Sequence, residues 1–246
     1  MDVRAALAKG VTGHYVGREH HRDVQGGAAR AAVFGISDGL LTNVSLILGF
    51  AGAGTGGTFV RLAGIGGLVA GAFSMAAGEY QSMSAQKELL EYELEVERRE
   101  LARNPEVETR ELAATFEQRG LSTDDATRIA EAIMRDPEVA LDVHAREELG
   151  VRPGQTGSPV QAALSSLVSF AIGALIPLIP WFFSEGRVAV IASVILGATS
   201  ALGIGWTVAV FTGRSRVRSA LRQLGIAAVA AAVTYGVGSA VGVHTA

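Results

Sequence analysis

An all-α, polytopic membrane protein is the fold this sequence predicts, with five transmembrane helices and a helical domain inserted between the second and third. Three observations predict it. Five stretches stay apolar over the roughly 20 residues a helix needs to cross a bilayer. Charge is sharply divided: 18 acidic and 10 basic residues lie between Ser84 and Arg152, a net −8, while the remainder carries +5. No stretch shows the alternation of a half-buried strand. Hydrophobic residues make up 49% of the 246 and charged residues 18%, an apolar balance for a chain this long. Cysteine is absent, which excludes disulfides, thiolate metal sites and cysteine nucleophiles.

Residues 1–30 are polar and of mixed charge, with no early apolar core and so no signal peptide. They read as an amphipathic segment at the headgroups on the cytoplasmic side. Residues 31–83 hold the first two spans, Arg30 to Gly52 and Thr58 to Met83, joined by the Gly-rich turn Ala53 to Gly57. Residues 84–152 form the acidic domain. Ser84 to Arg103 lacks Pro and Gly and predicts a long helix that could continue the second span. Asn104-Pro105, Ser122 with Asp125, and Asp136-Pro137 are three helix starts, and Gly120 and Gly150 are stops. Residues 153–246 supply the last three spans, Val160–Ser184, Val188–Thr212 and Leu224–Val243. Loop Arg and Lys set the orientation. The N-terminal segment has five, the first short loop only Arg61, the loop after the third span only Arg187, and the fourth-to-fifth loop Arg214, Arg216, Arg218 and Arg222. This alternation puts the N-terminus and the acidic domain in the cytoplasm and the C-terminus outside. Only two lysines occur against 19 arginines, the bias of a GC-rich bacterial gene, which points to a bacterial inner membrane, or a vacuolar membrane in a eukaryote.

Asp38 is the costliest residue in the first span. A carboxylate in hydrocarbon usually faces a partner or a polar path, and Thr42 and Ser45 share its helical face. In the second span Met75, Glu79 and Ser82 fall on one face. A carboxylate with a thioether suits a borderline divalent metal; the bland alternative makes Glu79 a boundary residue and Met75 a packing filler. In the long helix Leu90, Leu94 and Leu101 form an apolar stripe that contains Glu97 and has Glu93 and Glu100 along its edge. A carboxylate on a buried face needs a partner or a cation, so Glu97 and Glu100 are candidate metal ligands, while Glu88, Glu91 and Glu95 read as solvated. Glu108 and Glu111 form a second pair at i, i+3. His144 and Glu148 share a face of the last inserted helix, and His144 is either a structural histidine or a ligand. Oxygen-rich donors with one imidazole fit hard to borderline dications, not structural zinc.

Together, Glu19-His20, Phe34-Gly-Ile-Ser-Asp38-Gly39-Leu-Leu-Thr-Asn43, Gly71-Ala-Phe-Ser-Met75-Ala-Ala-Gly78-Glu79-Tyr80 and Gly173-Ala-Leu-Ile-Pro177-Leu-Ile-Pro180 resemble the vacuolar iron transporter family over nearly the whole chain. The resemblance implies a homodimer with the path at the subunit interface. It also implies proton-coupled export of Fe²⁺, and often Mn²⁺, from the cytosol, with Zn²⁺ or Co²⁺ as further candidates. Asp38 and Met75 match its path-lining residues, and Glu79, Thr42 and Asn43 complete the expected path. Glu97, Glu100, Glu108, Glu111 and Glu148 match its metal-binding glutamates. His144 and Ala145 depart from it, standing where some members carry a methionine pair.

Other readings are weaker. A ferritin-type di-iron oxidase needs Glu-x-x-His on two helices, and no Glu here has His three residues later. The chain is therefore not expected to be an enzyme. A passive divalent cation channel with an acidic sensing domain would be told apart by indifference to a proton gradient. A scaffold leaves Asp38 and Glu97 unexplained. The acidic extramembrane block gives no sign of nucleic-acid binding.

Overall fold

A computed structural model describes residues 27–151 and 157–245. The N-terminal segment expected at the headgroups lies almost wholly outside the described residues. Those described are helical, with no strand among them. The helices are α1 (Gly27–Gly52), α2 (Gly57–Arg103), α3 (Pro105–Gln118), α4 (Thr123–Ile133), α5 (Pro137–Glu147), α6 (Pro159–Leu178), α7 (Gly186–Thr212) and α8 (Arg216–Thr245). Five of them, α1, α2, α6, α7 and α8, are long and apolar enough to cross a membrane.

The second span and the first inserted helix are one continuous 47-residue helix, α2, about 70 Å long at 1.5 Å per residue. The absence of Pro and Gly after Gly78 lets the helix run on. It ends at Asn104, whose side chain makes no capping hydrogen bond, contrary to the expected cap; Pro105 at the first turn of α3 marks the boundary instead. Ser122 and Asp136 do cap, accepting from the amides of Asp125 (3.3 Å) and of Glu138 and Val139 (3.1 and 3.3 Å). The last span also starts earlier than expected. Arg216, Arg218 and Arg222 lie in the opening turns of α8, leaving a loop of only three residues. Past Pro177 the α6 helix tightens into a 3₁₀ turn, Ile179–Phe182. There Ser193 donates to the Pro177 carbonyl (2.7 Å) and receives the Trp181 indole N–H (3.0 Å).

α1 sits at the centre, packed against α6, α8, α2 and α7, most extensively against α6. Glycine is required at that crossing. A Cβ on Gly39 would stand 2.1 Å from the Phe170 carbonyl oxygen, and one on Gly173 2.2 Å from that of Ile36, so the two backbones touch. Gly35 likewise meets the Ser166 carbonyl, while Gly64, Gly67 and Gly71 make room for the side chains of Leu178, Leu46 and Phe170. Gly66 and Gly78 on α2 have nothing within 4 Å. Two ion pairs mark opposite ends of the bundle. Arg30 bonds Glu79 at 2.9 Å, and Arg61 bonds both Glu185 (2.8 Å) and the Trp181 carbonyl (3.1 Å). Glu79 and Arg61 are 18 residues apart on α2, about 27 Å, close to the thickness of a bilayer's hydrocarbon core.

The inserted helices have a small core of their own, Leu112, Ala113, Ala126 and Ala130, with Phe116, Leu121, Ile133 and Val143 against it. Arg119, the C-cap of α3, pairs with Glu147 of α5. This packing turns α5 back onto the far end of α2.

A candidate metal centre on the inserted helices

Three helices each contribute to one cluster: Glu97 from α2, Glu108 from α3, and His144 with Glu148 from α5 and its C-terminal cap. One donor atom from each lies within 4.8 Å of all the others. Ligands on opposite sides of a metal with bonds of 2.0–2.2 Å are about 4.2 Å apart, so a small closure would bring all four onto one ion. Glu97, Glu108 and His144 are buried, at 6%, 6% and 0% exposure, and Glu148 is at the open edge. The packing of α5 on α2 buries Glu97, while Leu90, Leu94 and Leu101 of its stripe stay only partly buried, and the Leu112–Ala113 core fixes the rotation of α3 that buries Glu108.

The arrangement is electrostatically unsatisfied. Nδ1 of His144 lies 3.1 Å from carboxylate oxygens of both Glu97 and Glu148 and 3.8 Å from Glu108. One nitrogen holds at most one proton, so it cannot serve three carboxylates. Of these contacts only the one to Glu148 has hydrogen-bond geometry; Glu97 Oε1, the oxygen 3.1 Å from Nδ1, and His144 Nε2 make no hydrogen bond. Burial pushes the Glu97 carboxyl up to about 7, repulsion from Glu148 adds to this, and His144 opposes it. Glu108 is raised as well, by burial first and then by Glu111. A divalent cation would neutralise both and take up the orphaned oxygen. Glu100 and Glu111, expected as ligands, are exposed. The charge of Glu100 adds to the upward shift of both Glu97 and Glu108, and that of Glu111 to the shift of Glu108.

The membrane residues are arranged differently. Asp38 is exposed on the outer face of α1, with Thr42 and Ser45 lining a groove between α1 and α8. Met75 is half-buried on α2 and packs beside Phe170, the residue whose backbone meets Gly39. Asn43 faces elsewhere. Its side chain is fully buried and donates to the Ala174 carbonyl at 2.6 Å, and its Oδ1 has no partner. It pins α1 to α6 and shares no surface with Asp38. Glu79 is 18% exposed and held by Arg30. Sequence reasoning missed Arg30 as a partner, because nothing local links residues 49 positions apart.

Comparison with known proteins agrees with this geometry. Residues 29–239 match a family model described as the VIT family. The chain is 34% identical over 245 residues to a vacuolar iron transporter of Acanthamoeba castellanii, covering 96% of this chain and 88% of that protein. It is 32% identical over 217 residues to vacuolar iron transporter 1 of Eucalyptus grandis, covering 88% and 87%. A rice vacuolar iron transporter 1 is 31% identical over 226 residues, covering 90% of each. The motifs, the five spans and the inserted acidic helices have one explanation: the chain belongs to the VIT family.

Proposed function

We propose that the protein exports divalent metal, Fe²⁺ first and Mn²⁺ as a second cargo, from the cytosol in exchange for protons. The observation that carries this reading is the buried cluster of Glu97, Glu108, His144 and Glu148, whose converging donor atoms a divalent cation would hold together. The names of the relatives supply iron as the cargo. In this reading the inserted helices face the cytosol and gather metal, with Glu100 and Glu111 as the outer attractors. Metal passes to Glu79 and then to Asp38 and Met75. An acid in the membrane exchanges a proton for a dication because bound metal lowers a carboxylate's pKa and burial raises it.

A homodimer completes the path. Asp38 is exposed in the single chain, and α2 turns Phe59, Leu62, Ile65, Val69 and Phe73 outward in a helical stripe. A second copy laid against that stripe would enclose the carboxylate. The membrane is that of the bacterial cell, in keeping with the arginine bias of the sequence.

The test is metal uptake into proteoliposomes with and without an imposed pH gradient, across Fe²⁺, Mn²⁺, Zn²⁺ and Co²⁺. Uptake of Fe²⁺ driven by the gradient and abolished in Asp38→Ala is expected. Wild-type rates in that variant would place the path elsewhere, and uptake indifferent to the gradient would make the protein a passive channel.

A further inference from the structure

At the bundle end where α2 continues into the inserted helices, Glu79 is already occupied. The guanidinium of Arg30 sits on its carboxylate at 2.9 Å, the one ion pair between α1 and α2 among the described residues. Arg30 is in the first turn of α1, and its backbone is fixed there. Ser165 donates to the carbonyl of Ala28 at 2.8 Å, and Ala31 is buried against Met83 and Ala162. Its side chain is half-solvated, 51% exposed, while Glu79 is 18% exposed. A short anchored backbone thus carries a long, half-solvated arm that ends on a carboxylate at the mouth of the proposed path.

The chemistry of this pair is competitive. Arginine stays protonated at any pH at which the protein is folded, so Glu79 cannot be released by deprotonation of its partner. A dication bound to the same carboxylate would repel the guanidinium and weaken its hold. The arm has water to swing into, and a divalent ion holds a carboxylate more strongly than a monovalent, half-exposed partner does. Asp38 lies two turns farther along α1, about 12 Å from Arg30, so the arm stands over the entrance and not at the membrane station itself.

We propose that Arg30 is a tethered cation that holds Glu79 when no metal is present, and that an incoming divalent ion must displace it to enter the path. This rests on the reading of Glu79 as part of that path. The side chain then sets how much metal is needed to open the entrance, and it keeps monovalent ions, which compete poorly with a guanidinium, off Glu79.

The experiment uses the full-length protein in proteoliposomes with Fe²⁺ as the probe, and reads KM and kcat separately. Arg30→Gln is expected to lower KM at least threefold with kcat within twofold of wild type. Arg30→Lys, which keeps the charge on a shorter and differently shaped donor, is expected to fall between. Arg30→Gln made in a Glu79→Gln background is expected to add nothing to the effect of Glu79→Gln alone. Should Arg30→Gln fail to fold, the Lys variant carries the test through the same KM shift. A KM unchanged or raised in both variants overturns the proposal, as does an undiminished effect of Arg30→Gln in the Glu79→Gln background. Wild-type transport by Glu79→Gln alone instead removes Glu79 from the path, and the underlying reading with it.

Discussion

Replacing Glu97 by Gln should stabilise the metal-free protein and remove its capacity for metal at the same time. The native carboxyl titrates at about 7, against 4.5 for an unperturbed glutamate. Below pH 4.5 the group is protonated in both the folded and unfolded chain and contributes nothing. Between 4.5 and 7 the unfolded chain releases the proton while the native one keeps it, so stability falls as pH rises. Above 7 the loss is complete, at up to about 3 kcal/mol for a shift of this size. Gln keeps the shape and carries no charge, so at pH 8 the variant should recover much of that amount, and at pH 4 it should match wild type. Calorimetric unfolding in detergent with a chelator measures the first part, and Mn²⁺ titration of the same samples measures the second. Wild type should gain stability on adding Mn²⁺ at pH 8, as binding to the native state alone requires, and the variant should gain far less. A variant less stable than wild type at pH 8, still binding Mn²⁺ as tightly, would show that the cluster is an ordinary structural contact.

Other perturbations separate the remaining claims. His144→Ala should weaken metal binding and flatten its pH dependence, because a protonated imidazole cannot ligate; titrations of the full-length protein at pH 6 and pH 8 that give the wild-type curve would remove His144 from the ligand set. Gly39→Ala drives a methyl into the Phe170 backbone and should cost about 1–3 kcal/mol, at the upper end because backbone cannot step aside. Gly78→Ala, with open space around it in mid-helix, should stabilise by about 0.5–1 kcal/mol in the same thermal unfolding assay. Asp38→Ala should abolish gradient-driven Fe²⁺ uptake while leaving metal binding at Glu97, Glu108, His144 and Glu148 intact, as equilibrium titration would register.

The five spans, the inserted acidic helices, the caps at Ser122 and Asp136 and the stops at Gly120 and Gly150 were legible in the sequence. Each follows from forces acting within a few residues: hydropathy over a span's length, a side chain reaching an amide three residues on, and the freedom of glycine at positive φ. Glu97 was legible for a related reason, since its place inside an apolar stripe is a property of one helix. Which glutamates converge was not. Glu97 and Glu100 both lay on or beside that stripe, and only the packing of α5 onto α2 buries the first and leaves the second at the surface. Asn43 sits in the same motif as Asp38, yet α6 claims it through the Ala174 carbonyl. Arg30 read as a topology signal, and only the crossing of α1 with α2 makes it the partner of Glu79. Periodicity fixes which face of a helix a residue occupies, but the neighbour on that face depends on rotation and register between helices far apart in the chain. Those are settled by close packing such as the backbone contact at Gly39 and Gly173.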